Sequence, residues 1–156
     1  MIDQINYEEL DPPIRELVRV LNEFSGISTL GSCGGHEDGT PGEVHAAADE
    51  WWVTMSLEPA DSEAAIHAPS EQAWLDFEFL VYWISRLRAE KNVGVDLAPY
   101  APPPHLNEPG RMLRFELRGW RRDDDGALAI DAEPDRVAAW IRDGLAELYV
   151  EGGELP

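Results

Sequence analysis

The feature that most constrains the fold is an apolar residue at every second position in two segments, 50–58 and 113–118. The apolar positions are Trp51, Val53, Met55 and Leu57 in the first segment and Leu113, Phe115 and Leu117 in the second. Successive side chains of a strand point to opposite faces, so a period of two predicts strands with one buried face. Such a sheet has to bury that face against a second layer.

Three helices are predicted to supply this layer. The first spans Asp11 to Gly26, with Asp11 as N-cap, Pro12 in the first turn and the glycine as C-cap. The second runs from Ser70, a good N-cap, to about Lys91. The third opens at Pro134 and stops at Gly152. Each helix carries apolar residues three and four positions apart, which is typical of a helix with one buried side.

Three shorter segments also favour strands, namely 27–30, 93–97 and 127–130. The element order becomes α-β-β-α-β-β-β-α, and short hairpin links favour an antiparallel or mixed sheet. We therefore predict a single layered α+β domain over residues 1–156, with about five strands packed by three helices. A length of 156 residues suits one domain.

The charge balance narrows the choice of partners. The chain has 31 Asp and Glu against 12 Lys and Arg, a formal net charge of −19. This charge disfavours nucleic acid and anionic membranes as partners, although strong salt in the cell also selects acidic surfaces. No run approaches the ~18 apolar residues of a membrane span, and the N-terminus lacks the pattern of a signal peptide. We expect a cytoplasmic protein.

The residues with the most chemistry lie in a glycine-rich segment that follows the strand predicted at 27–30. It holds Cys33, the only cysteine, together with His36. In one interpretation Cys33 is a catalytic nucleophile and His36 its base, oriented by a third group. The candidates for this third group are Glu37, Asp38 and Asp49.

A second interpretation of the same segment is a metal site. Cys33, His36 and His45 would supply the ligands, since thiolate and imidazole both bind zinc. Further ligands would come from Glu37, Asp38, His67 or His105.

A third interpretation is a cradle for a small anionic ligand, a phosphate or a carboxylate. Thr29 and Ser32 would contribute hydroxyl groups, and Gly34 and Gly35 would contribute backbone N–H groups. Glycine lets the backbone turn tightly and present its N–H groups to an anion.

The stretch Thr29-Leu30-Gly31-Ser32-Cys33-Gly34-Gly35-His36, preceded by a helix, resembles the Ser-Cys-Ser-Gly-Arg region of the wybutosine-synthesising tRNA methyltransferases. The resemblance covers residues 11–36 and places Ser32, Cys33 and Gly35 on the family's Ser-Cys-x-Gly, with His36 where the family has arginine. It implies S-adenosylmethionine-dependent N-methylation of a modified guanosine in phenylalanine tRNA. The charge of −19 favours a shared fold over a shared tRNA substrate.

Five of the twelve basic residues gather between Arg111 and Arg122. Arg114 and Arg118 would share one face of the strand, with Trp120 beside them if the strand continues that far. Two roles are open for these arginines. They can pair with nearby acids such as Glu116, or they can form a hairpin that binds an anionic ligand.

The sequence thus predicts a small acidic protein with a small-molecule or metal site at the Ser32–His36 loop. Whether this site is enzymatic is left open, and the pattern indicates no particular cofactor or oligomeric state. The alternative is a non-enzymatic interaction protein that uses its acidic surface to bind a basic protein or to mimic DNA.

Overall fold

The fold is α+β, as predicted, and its sheet is antiparallel throughout. The computed structural model describes residues 5–36, 46–61, 68–100 and 113–152. In these residues the sheet order is β1-β2-β4-β3, from β1 (Ile27–Cys33), β2 (Glu50–Leu57), β3 (Val95–Pro99) and β4 (Arg114–Trp120). The helices are α1 (Arg15–Leu21), α2 (Glu71–Lys91) and α3 (Pro134–Gly152). Short 3-10 turns cover Tyr7–Glu9, Pro12–Ile14 and Ile130–Ala132.

The apolar residues at every second position of β2 form the centre of the core, as the sequence predicts. Its alternate apolar residues are all buried, and β4 faces them in register, with Met55 opposite Phe115 and Val53 opposite Leu117. Trp51 is fully buried opposite Gly119, and its indole N–H donates to the carbonyl of Ala132 at 2.7 Å. β2 therefore joins its two neighbouring strands, β1 and β4, to the helical layer.

The helix predictions are confirmed for α2 and corrected for α1. Ser70 caps α2, because its hydroxyl accepts a hydrogen bond from the Ala73 N–H at 3.1 Å. α1 ends at Leu21 with Asn22 as its C-cap, not at Gly26. The amide side chain of Asn22 binds the carbonyl of Val18, which ends the helix early. None of the described helices is both long and apolar enough to cross a membrane.

The fifth predicted strand, 127–130, is wrong. Leu128 forms only an isolated bridge to Arg122, and the chain then enters the 3-10 turn Ile130–Ala132. Asp123 closes the preceding turn by accepting hydrogen bonds from two backbone N–H groups through its Oδ1 atom. Leu128 and Ile130 are both exposed, so no buried face exists to hold this segment in the sheet.

The close contact between Trp51 and Gly119 gives a first test. A Cβ atom at position 119 would lie 2.2 Å from the Trp51 ring, so we expect Gly119→Ala to lower the free energy of unfolding by about 1–3 kcal/mol. Gly94→Ala is the matched control, because its Cβ would come no nearer than 3.4 Å to Trp120. Urea denaturation of both variants measures the difference. Equal stability of the two variants would contradict this packing.

An ion pair links α1 to α3 on the surface. Arg142 donates to the Glu16 carboxylate at 2.5 Å, and Arg19 donates to the same carboxylate at 2.7 Å. The hydrogen bond from Arg142, followed by the one from Arg19, holds the pKa of Glu16 below its ordinary value. A carboxyl group whose pKa is lowered by folding stabilises the protein above its unfolded pKa and loses that contribution as the pH falls through its folded pKa.

The second test follows from the lowered pKa of Glu16. Glu16→Gln should lower the free energy of unfolding at pH 7 by less than about 1 kcal/mol, since the pair is on the surface. As the pH falls below about 4.3, the ordinary pKa of glutamate, and towards the lower pKa of folded Glu16, the gap between the wild type and the variant should narrow. Thermal unfolding from pH 7 to pH 3 measures this, with Glu9→Gln as a control on an exposed glutamate. A constant gap between wild type and Glu16→Gln over that range would exclude the ion pair as its cause.

Candidate metal centre

The site begins where β1 ends, three residues later than the sequence predicts. A bulge between Thr29 and Gly31 leaves Leu30 without a partner, and pairing then continues to Cys33 opposite Trp52. Cys33 is therefore a strand residue, and only 3% of its surface is exposed. The first residues of the predicted glycine-rich segment, Gly31 to Cys33, therefore belong to the strand.

The turn at Gly34 and Gly35 brings His36 back toward the strand. Gly35 has a φ of +96°, and a Cβ atom there would lie 2.5 Å from the Glu50 carbonyl oxygen, so both its angle and its surroundings require glycine. His36 then donates its backbone N–H to the Ala46 carbonyl at 2.8 Å. These contacts fix the backbone on both sides of the turn.

Asp11 joins this turn from a distant part of the chain. It stands at the predicted N-cap position, before the 3-10 turn that leads into α1, but its side chain makes no capping hydrogen bond. Its Oδ2 atom instead accepts the Gly34 N–H at 2.8 Å and lies 3.3 Å from His36 Nε2. A carboxylate held by a backbone N–H and facing an imidazole is an oriented acceptor.

Three possible metal ligands thus meet at one place. One donor atom each from Asp11, Cys33 and His36 lies within 4.8 Å of the other two. The side chains of Asp11 and His36 are 34% and 36% exposed, whereas Cys33 is buried beneath them. The cluster therefore has a buried thiol at its base and opens toward solvent through the carboxylate and the imidazole.

Arg121 holds the backbone around this cluster. Its guanidinium donates to the carbonyls of Gly34 at 2.7 Å, Ala48 at 2.8 Å and Glu50 at 3.1 Å, and its Nε atom donates to Glu133 at 3.0 Å. Only 12% of its side chain is exposed. In the sequence, Arg121 belongs to the arginine-rich segment between Arg111 and Arg122. Only its position at the end of a predicted strand marks it there.

The other residues of the predicted loop site have separate contacts. Thr29 Oγ1 accepts from Asn22 Nδ2 at 2.9 Å, and Ser32 lies in β1 opposite Val53. Gly34 donates its N–H to Asp11, so this group is already occupied. Asp49, a candidate orienting group, pairs with Arg122 at 3.2 Å. The remaining predicted ligands His45, Glu37, Asp38, His67 and His105 lie outside the described residues.

The arginines of β4 lie on the sheet face opposite the core. Arg118 is 15% exposed and pairs with Glu116 of the same strand at 2.7 Å and with Glu50 of β2 at 3.4 Å, so pairing with nearby acids accounts for it. Arg114 lies opposite Ser56, and within the described residues its Nε atom is buried without a hydrogen-bond partner. The strand extends to Trp120, whereas Arg111 lies outside the described residues.

Arg121 gives the third test. Arg121→Lys keeps the charge but cannot reproduce the planar fork that serves three carbonyls, so we expect a loss of about 2 kcal/mol in the free energy of unfolding. Arg122→Lys is the control, because that side chain is 47% exposed and its replacement should stay within about 0.5 kcal/mol. Urea denaturation compares the two variants. An equal loss in both would show that Arg121 has no special structural role.

Comparison with known proteins identified no relative of this chain. No protein-family model, curated protein or solved structure matches the chain. The resemblance of residues 11–36 to the tRNA methyltransferases therefore stays a prediction.

Proposed function

We propose that this protein binds a divalent transition-metal ion through Asp11, Cys33 and His36, and that zinc is the preferred ion. The observation that carries the proposal is the convergence of three different donor types within 4.8 Å from two distant segments. Thiolate, imidazole and carboxylate are the three side-chain donors that zinc accepts in proteins.

The spacing of these donors is compatible with one shared ion. With bond lengths of about 2.0–2.3 Å and tetrahedral angles, zinc ligands lie roughly 3.3–3.8 Å apart. Asp11 Oδ2 and His36 Nε2 are already 3.3 Å apart. The charges agree as well, because a thiolate and a carboxylate together neutralise a dication while the imidazole stays neutral.

The surroundings of the cluster support the same proposal. Ligands of zinc are commonly oriented by further hydrogen bonds, and the Gly34 N–H provides one to Asp11. Arg121 holds the carbonyl of the same glycine at 2.7 Å. The backbone between Cys33 and His36 is thus fixed before any ion binds, which lowers the entropy cost of assembling the site.

The burial of Cys33 favours a ligand over a nucleophile. A nucleophilic thiol must reach its substrate, and reactive cysteines are accordingly at least partly exposed. Cys33 is 3% exposed, whereas a metal needs only one free face of the sulfur.

Three protein ligands leave one tetrahedral position of the proposed zinc open. Asp11 and His36, each about one-third exposed, border the solvent side of the cluster. We assign the open position to water or to a small anionic ligand such as a carboxylate or phosphate. A small molecule at the Ser32–His36 segment would then be bound by the metal ion and not by the backbone N–H groups of a glycine-rich cradle.

Metal titration provides the fourth test. The wild type should bind one equivalent of zinc, and cobalt in its place should give the near-ultraviolet absorption of a thiolate-to-metal charge transfer. Cys33→Ser should abolish that absorption, and Asp11→Asn and His36→Gln should each weaken binding by at least roughly tenfold. Saturating zinc should also raise the free energy of unfolding of the wild type, by about 2.7 kcal/mol at one hundred times the dissociation constant.

The control is Asp49→Asn, which makes the same chemical change at an exposed aspartate that pairs with Arg122. It should bind zinc as the wild type does. Failure of the wild type to bind zinc or cobalt at micromolar concentration would refute the proposal. Unchanged stoichiometric binding by all three ligand variants would refute it as well.

A further inference from the structure

A second surface feature lies away from the proposed metal centre. A groove of about 780 Å³ runs between α2 and α3 and reaches the turn between α1 and β1. None of the three proposed metal ligands lines it. Its apolar walls are formed by Leu75, Phe79 and Tyr82 of α2 and by Leu145 and Leu148 of α3.

These wall residues follow helical spacing on both sides. On α2 they are at positions i, i+4 and i+7, and on α3 at positions i and i+3, so each helix presents one continuous apolar edge. Leu75 and Tyr82 are 49% and 57% exposed in the described structure. Two apolar helix edges with a groove between them have the features that receive the apolar face of a third helix.

The charged residues that line the groove are all acidic, namely Glu23, Asp76 and Glu78. Asp76 is buried and its carboxylate already accepts hydrogen bonds, so Glu23 and Glu78 form the exposed acidic border. Arg142, which contacts Glu23 at 3.7 Å, is also bound to Glu16 at 2.5 Å. The groove therefore offers apolar contact together with an acidic border, within a chain of net charge −19.

We infer that this groove docks an amphipathic helix of a partner protein, with its apolar face between α2 and α3 and its lysines and arginines against the acidic border. A second copy of this chain fits the groove poorly, because it brings the same negative charge to an acidic surface. The inference is independent of the metal centre, since it uses none of the same residues.

A designed peptide gives a direct test. The probe is a fluorescein-labelled peptide of roughly 18 residues, with leucine at i, i+3, i+4 and i+7 and lysine elsewhere. Two reference peptides are a shuffled isomer without an apolar face and a version with glutamate in place of lysine. Fluorescence anisotropy at about 150 mM salt, where long-range attraction is screened, should show the probe binding at least roughly tenfold more tightly than either reference.

Variants of the groove separate apolar docking from general charge attraction. Leu75→Ser combined with Tyr82→Ser should weaken probe binding by at least roughly tenfold. Val81→Ser, on the same helix but outside the groove, should leave it unchanged. Glu78→Lys should weaken binding more than Glu9→Lys, which changes the net charge equally at an exposed site outside the groove. Circular dichroism verifies that each variant is folded.

Three results would overturn the inference. The shuffled isomer could bind as tightly as the probe, which would mean that net charge alone explains the binding. The Leu75/Tyr82 variant could bind the probe unchanged, which would place the peptide elsewhere. Sedimentation could show a wild-type dimer that this variant disrupts, which would make a second copy the occupant. Since zinc binding is measured separately, failure here leaves the proposed metal centre untouched.

Discussion

The guanidinium of Arg121 is the interaction on which the rest of the site depends. It joins three parts of the chain that have no local reason to meet, namely the turn after β1, the segment entering β2 and the glutamate before α3. Buried carbonyl groups need a donor, and a planar cation can serve several of them at once. Gly34 is held from both sides, since its carbonyl binds Arg121 and its N–H binds Asp11. Cys33 and His36 flank this fixed glycine turn, so their positions depend on it as well.

The parts of the fold that sequence reasoning predicts well are those decided locally. The alternation in β4 and the cap at Ser70 act over a few residues, and both are found in the structure as expected. The segment 127–130 has a similar short pattern, yet it fails as a strand because strand membership also needs a buried face and a partner. A short alternating pattern is therefore not sufficient for membership of a sheet.

Only part of the candidate site can be recognised in the sequence, for a related reason. Cys33 and His36 are three residues apart, so their association follows from a glycine turn that can be recognised locally. Asp11 is 23 residues from Gly34 along the chain, and Arg121 is 87 residues from it. Local rules assign an aspartate before proline to a helix cap and an arginine after a strand to the surface. Both assignments miss contacts that form only when the sheet and the turns assemble.

The bulge at Leu30 has a consequence for how such a site can change over time. Because one residue is left out of the pairing, the two ends of β1 follow opposite phases, with Thr29 opposite Met55 and Gly31 opposite Thr54. Odd and even positions thus exchange faces halfway along the strand. Losing that single residue would leave one regular ladder with the same partners, because the pair Thr29–Met55 would then be followed directly by the pair Gly31–Thr54.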